Sequence, residues 1–372
     1  MKKSNVKFAS VAFESIDARK TLPAKFGRML SKLPLKKMVR GKIVVLKMHL
    51  GSNIGYTTIH PLFTKILVNK IKEAGGNVFI TDIFYPNSDF GVNNAKNRGY
   101  SEDILGAPVF PVSGVFDKYY YSNKVDYKTL KEVQVSGHIH DAEVLINFSH
   151  VKGHGVSSFG GAIKNISMGC VTKKTRQDLH LLHSSGSGIV WDESLCTHCE
   201  KCIKECRYRA NKFNKEGKYE TFIHDCTYCL HCVEICPAGA LKFAGKKYLD
   251  FQEGMAVAAT EVLNTFKPEN ILHLNMLTNI TLLCDCWGMS TPSLVPDIGI
   301  LASDDIVAID KASLDMIKKE NILPNSLPAH WQLRKGGHHL FECIWGKDPY
   351  LQLAPMVDRK MGSTEYEIEE II

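Results

Sequence analysis

The chain has 372 residues, 44% of them hydrophobic and 23% charged, with a formal charge of +7. That length is enough for two or three domains, and no apolar run is long enough for a membrane-crossing helix. The first residues bring two lysines without a continuous apolar stretch or a small-residue cleavage site, so they do not read as a signal peptide.

Residues 1–42 form a basic arm with twelve Lys and Arg against two acids. Its pattern predicts an amphipathic helix over Leu22 to Met38, interrupted at Pro34 and laid over the body. No aromatic platform or helix-turn-helix pattern accompanies the charge, so no nucleic-acid partner is expected. Docking of the arm on a membrane surface is not favoured either.

Alternating strands and helices follow. Ile43 to Met48 reads as a strand, Ile59 to Ala74 as a helix stopped by Gly75-Gly76, and Val78 to Asp82 as a second strand. This is a βαβ unit, whose default is a parallel sheet. The intervening loop His49 to Tyr56 has neither a dinucleotide fingerprint nor a P-loop spacing. A helix near Val92 to Gly99, a strand at Val109 to Val112 and edge hairpins within Lys124 to Val135 come next. Glu143 to Phe148 is the clearest core strand. It runs into His150, Lys152 and His154, then Gly160-Gly161, Lys164, Asn165 and Cys170. Imidazoles, ammoniums, an amide and a thiol following one buried strand predict a functional pocket.

Eight of the twelve cysteines lie in two copies of one spacing. They are Cys196, Cys199, Cys202 and Cys206, then Cys226, Cys229, Cys232 and Cys236 before Pro237. This spacing predicts two 4Fe-4S clusters with exchanged fourth ligands. Cys196, Cys199, Cys202 and Cys236 are assigned to one, and Cys226, Cys229, Cys232 and Cys206 to the other. Zinc would leave the third cysteine of each run surplus. Arg207 stands where the second run has Pro237. The expected insertion spans 189–245. Cluster spacings argue against secretion and a disulfide framework, and for a cytoplasmic protein of a low-oxygen setting.

The α/β pattern resumes with a helix over Gln252 to Phe266 and strands at Ile271 to Met276 and Ile298 to Leu301. A further helix is expected from Ile306 to about Lys318. Cys284-Asp285-Cys286 follows a short apolar run. With Cys170 or His154 this pair completes a third metal site; otherwise it is a redox dithiol or a buried structural pair. His338 and His339 are surface or pocket-lining. The expected fold is α/β, a mostly parallel or mixed open sheet with helices on both faces, interrupted by a ferredoxin-like two-cluster α+β insertion. The body is divided into 43–188 and 246–372.

At Lys152-Gly153-His154, Gly160 to Asn165, Met168-Gly169-Cys170 and Cys284-Asp285-Cys286, the sequence resembles the DUF362 family of iron-sulfur cluster-binding proteins. The similarity takes in Lys47 to Tyr56, Thr81-Asp82 and Asp297 to Asp305, and covers roughly Val39 to Met316. It implies a ferredoxin unit inside the domain and supplies no reaction. At Asp305-Ile306 the chain departs from the Asp-Pro of many relatives.

Together these readings favour an oxidoreductase that passes electrons through both clusters, supplied by a redox partner protein, to a small anionic molecule in the pocket. Lys152 and Lys164 neutralise that molecule and His150 or His154 moves the proton. Two other readings stay open: an electron carrier or redox sensor, and a ligand-binding protein braced by its clusters.

Overall fold

The alternation expected from Lys42 onward is present, and strands from both ends of the chain join it. The computed structural model describes all residues except 1–2, 86–89, 185–187, 207–208, 222–225, 227–229, 245–246 and 330–332. Ser4–Ser10 forms β1, and the rest of the basic arm holds a 3-10 turn at Ala18–Lys20 and α-helices at Leu22–Ser31 (α1) and Leu35–Val39 (α2). Pro34, which has no amide to continue α1, stands at the break.

Ile43–Met48 (β2), Pro61–Glu73 (α3) and Asn77–Asp82 (β3) make the first strand–helix–strand unit. A single turn at Glu102–Leu105 (α4) precedes Val109–Pro111 (β4). Tyr120–Tyr127 (β5) and Leu130–Ser136 (β6) pair as a separate hairpin, and Gly137–His140 (α5) leads into Val144–His150 (β7). Lys152–His154 (β8) and Ser158–Gly160 (β9) form a small antiparallel ribbon. Ala162–Gly169 (α6) and Lys173–Ser184 (α7) follow.

The strands of residues 188 to 244 pair outside the main sheet, as an excursion from it. Gly188–Trp191 (β10) pairs antiparallel with Leu241–Ala244 (β13), which brings the two ends of the excursion together. Between them lie single turns at Lys201–Lys204 (α8) and His231–Glu234 (α9), and a hairpin of Asn211–Phe213 (β11) with Tyr219–Thr221 (β12). The chain then builds Lys247–Leu263 (α10), Ile271–Leu277 (β14), Gly299–Ser303 (β15), Ile306–Met316 (α11) and Tyr366–Glu370 (β16).

The main sheet is mixed, in the order β16-β1-β15-β14-β7-β2-β3-β4. β14, β7, β2, β3 and β4 run parallel, while β15 is antiparallel to both β14 and β1. Strand periodicity sorts the side chains between two cores. Val44, Leu46, Met48, Ile146, Phe148 and Leu274 face α1 and α3. Val45 and Leu145 face the other way, toward Ile163 and Ile166 of α6 and Met255 of α10.

That second face also carries polar residues. Lys47 of β2 lies opposite Asn147 of β7, and Asn147 opposite His273 of β14. All three are buried. Asn147 donates to the Ala162 carbonyl, and Asn165 of α6 donates to Asn147. Asp310 of α11 caps α6 by accepting from the Ala162 and Ile163 amides at 2.7 and 2.9 Å. Asn275 donates to the same carboxylate at 2.8 Å.

The inserted two-cluster unit is corrected by the geometry. Cys196, Cys199, Cys202 and Cys236 border a small cavity beside Trp191 and Tyr219. Among the described residues, however, the metal-ligating atoms that gather, three within 4.8 Å of one another, belong to the α/β body alone. They are those of His154, Cys284 and Cys286, and no three of the cluster cysteines do so. Cys229 and Arg207 lie outside the described residues. The mixed α/β fold stands, and a distinct ferredoxin-like two-cluster subdomain is not retained.

Asp310→Ala would leave two α6 amides without an acceptor and the Asn275 amide with Ser313 Oγ alone. The variant is expected to lose about 2–4 kcal/mol in urea unfolding, against less than about 0.5 kcal/mol for Lys65→Ala, exposed on α3. Equal losses would remove Asp310 from its place as the latch of α6.

Candidate functional site

β2, β3 and β7 are parallel, so Lys47, Asp82 and His150 emerge at one end of the sheet. Open α/β sheets bind ligands at this end. A cavity of about 430 Å³ opens there, closed by α6, α7 and the turn after β14.

Two buried ion pairs hold its walls. Lys47 Nζ donates to Asp82 Oδ1, Asn165 Oδ1 and the Met48 carbonyl, each at 3.0 Å. His49 Nδ1 lies 3.0 Å from Asp82 Oδ2. Burial pushes the Asp82 carboxyl up, but the Lys47 ammonium and His49 outweigh it and hold it well below the usual range. Lys152 Nζ donates to Asp285 Oδ1 at 2.7 Å and to the carbonyl and hydroxyl of Thr57. Burial is opposed in the same way at Asp285, by Lys152 and then His150, and its pKa also falls.

His150 is spent in this framework. Its Nδ1 meets Asp285 Oδ2 at 2.9 Å and its Nε2 the Thr278 carbonyl at 2.7 Å. Burial, followed by the Lys152 charge, lowers its pKa.

The chemistry-bearing turn is Cys284-Asp285-Cys286. Cys284 stands before a single 3-10 turn at Asp285–Trp287, which Gly288 ends in the left-handed region at φ +67. The two sulfurs are joined as a disulfide. Lys164 Nζ of α6 donates to both, at 3.8 Å. Burial and then the Lys47 charge push Lys164 down to about 8. His154 Nδ1 accepts from the Val156 and Ser157 amides, so Nε2 is the nitrogen left to meet a metal. Its pKa lies well below the usual histidine value, first through burial and then through Lys164. Glycine permits the tight approach of β8: a Cβ on Gly153 would fall 2.4 Å from the Leu282 carbonyl oxygen.

The expected residues therefore divide into two sets. His154, Lys164, Cys284 and Cys286 meet at one wall of the cavity, with Asn165 beside Lys47. Lys152 and His150 are turned to Asp285. Cys170 is outside the triad, its thiol pushed up to about 12 by burial. His339 accepts from the Phe341 amide at the start of a helix and meets the Leu314 carbonyl, away from the cavity.

Sequence reasoning missed the wall made by α7. Lys173, Arg176, Gln177, His180 and His183 all line the cavity. Their spacing of three, four, seven and ten residues from Lys173 puts them on one helix face, a polar stripe that could have been read directly.

The family model described as "Domain of unknown function (DUF362)" matches residues 44–315. The chain is 31% identical over 77 residues to the hydrogenase-2 operon protein HybA of Escherichia coli O157:H7, covering 17% of this chain and 23% of HybA. It is 32% identical over 56 residues to an uncharacterized ferredoxin of Methanocaldococcus jannaschii, which spans 14% of this chain and 90% of that protein. These likenesses are short, and the chain spans about a fifth of HybA's length. Among solved structures, the lactate racemase apoprotein of Thermoanaerobacterium thermosaccharolyticum aligns over 74% of this chain and 51% of its own, at 14% identity and a TM-score of 0.34.

Lys152→Met would leave the buried Asp285 carboxylate with one partner fewer, and is expected to cost about 3–5 kcal/mol. Asp82 and Asp285 have folded pKa values below their unfolded value of about 3.9, so they stabilise the fold above that pH. Their contribution is lost as pH falls through and below about 4. Urea melts of wild type and the Asp82→Asn/Asp285→Asn variant at pH 3 and pH 7 check this. An acid-induced loss of the same size in both would exclude these carboxylates as its source.

Proposed function

The chain belongs to the DUF362 family, and for this member we propose metal-dependent binding of a small anionic molecule. The metal is a soft divalent ion held by His154, Cys284 and Cys286. The convergence of these three ligand atoms within 4.8 Å, at a cavity wall, is the observation that carries the reading. Two thiolates and one imidazole suit a zinc-class ion, and three protein ligands leave its fourth position for a ligand.

Charge supports an anion in that position. A divalent ion balanced by two thiolates is neutral, and the Lys164 ammonium then leaves the wall positive. Lys152 has no part in this, because Asp285 already neutralises it. Loading needs the disulfide opened first, which fits a reducing compartment such as the cytoplasm. A membrane role gains no support from the helices: among the described residues none is long and apolar enough to cross a bilayer. We also infer that 43–188 and 246–372 are one body and 189–245 an excursion from it, on the pairing of β10 with β13.

This reading replaces the oxidoreductase, carrier and cluster-braced alternatives, which all required paired 4Fe-4S clusters. The described side chains bring one three-ligand group to single-ion distance, in the body, and not the two sets that electron passage was built on.

Metal uptake at this site releases protons. Both thiols must ionise, and His154, with Nδ1 accepting, must give up the Nε2 proton or exchange tautomer. Cobalt titration of the phosphine-reduced full chain, followed by thiolate-to-cobalt absorbance, tests the proposal. The Cys284→Ser/Cys286→Ser variant should bind one equivalent fewer than wild type, and His154→Ala should weaken that equivalent by about 10- to 100-fold. Wild-type affinity for that equivalent should rise between pH 6 and pH 8. Equal stoichiometry and affinity in all three chains would end the reading.

A further inference from the structure

The charges around the cavity do not balance. Its carboxylates, Asp82 and Asp285, are matched by Lys47 and Lys152. Among the described residues, no ion pair joins Lys173 or Arg176 to an acid, although the neighbouring Lys174 has two. Arg176 is 5% exposed. Its Nε donates to the Tyr85 hydroxyl at 3.0 Å and its Nη1 to the Val171 carbonyl, while Nη2 is buried without an acceptor among the described residues. Trp287, which also lines the cavity, has a buried Nε1 in the same condition. Buried donors are normally paired, and these two belong to residues that line one cavity. The ring of Tyr85 is faced by both cations, with Lys173 Nζ at 5.5 Å and Arg176 Cζ at 5.3 Å from its centroid.

We propose that this α7 wall is a second acid-binding subsite, so that the ligand is a small molecule with two separated anionic groups. Resting on the metal reading for its first end, the inference places one acid group at the metal and Lys164. The other lies against Arg176, with Lys173 at the rim. The two cations share no partner: Lys164 donates to the cysteine sulfurs and Arg176 to Tyr85 and Val171. Ile83, Phe90, Val156 and Met168 supply apolar wall beside them, which suits an aliphatic spacer. A planar guanidinium is the side chain best matched to a carboxylate's two oxygens.

Calorimetric titration of the zinc-loaded, reduced full chain tests this with succinate, glutarate and adipate against butyrate, valerate and hexanoate. At least one diacid should bind about tenfold or more tighter than the monoacid of equal length. Arg176→Met should erase that advantage while monoacid affinity stays within about twofold. Lys173→Met, an exposed change that leaves the interior intact, should reduce the advantage by about two- to fivefold. Phosphate and sulfate, whose charge is compact, should follow the monoacids. Diacids no tighter than monoacids, equal losses of both acids in Arg176→Met, an Arg176-dependent preference for phosphate, or no acid binding at all would overturn the subsite. The metal reading fails separately, if zinc does not raise monoacid affinity; the Arg176 dependence of the diacids still decides the subsite.

Discussion

The structure depends on a polar row buried across the middle of its sheet. Lys47, Asn147 and His273 are cross-strand neighbours on three parallel strands, on the face that α6 covers. Unpaired, such groups would each cost a few kcal/mol. Lys47 and Asn147 are paired through α6, where Asn165 bridges them and Asn147 reaches the Ala162 carbonyl, and His273 meets Asn147. Asp310 closes the arrangement from α11, accepting from the first amides of α6 and from Asn275. The helix is thereby fixed in register on the sheet. An apolar face would have allowed it to slide, and Lys164 projects from this helix toward the cysteines.

The same pairing sets the electrostatics of the cavity. An ammonium as buried as Lys47 needs a counter-charge, and Asp82 provides it within the wall. Lys152 and Asp285 repeat this on the other side. Both acids are therefore consumed before any ligand arrives. Among the described residues, what faces the cavity unneutralised is cationic, from Lys164 on α6 and from Lys173 and Arg176 on α7. The N-terminus of α6 adds nothing for an incoming anion, because Asp310 already occupies it. The proposed preference for an anion rests on which charges are satisfied inside the fold, more than on how many lysines surround the cavity.

Much of this was legible in the sequence, for identifiable reasons. β2, β3, β7, β14 and α3 show themselves through apolar periodicity and glycine stops, and the structure places them within a residue or two of expectation. β1 was hidden because Ser4–Ser10 alternates weakly and lies in a stretch whose lysines dominate its pattern. Its pairing with β15 and β16 depends on residues about 300 positions away, which no local signal reports. Site residues followed the same rule. His154 ends β8, Lys164 lies in the first turn of α6 and the two cysteines stand at a 3-10 turn, all in glycine-bearing stretches that follow strands, where function is expected. Lys152 looked available for a ligand only because its partner, Asp285, is 133 positions distant. The repeated cysteine spacing invited a two-cluster reading from local order alone, whereas ligand convergence is a property of three dimensions.

Asp285 links framework to chemistry. In a Cys-x-Cys turn, adjacent side chains point in different directions, so a central residue anchored on one side turns its neighbours to the other. Asp285 is held by Lys152 at 2.7 Å and His150 at 2.9 Å, with both partners rooted at the end of β7 and the start of β8. Cys284 and Cys286 are consequently presented together to Lys164 and His154. The disulfide sets the spacing of the two sulfurs, and the buried ion pair of the middle residue holds the turn that carries them. Lys152 and His150 are thus positioning residues. They act on the site through Asp285, and their burial is what makes that action rigid.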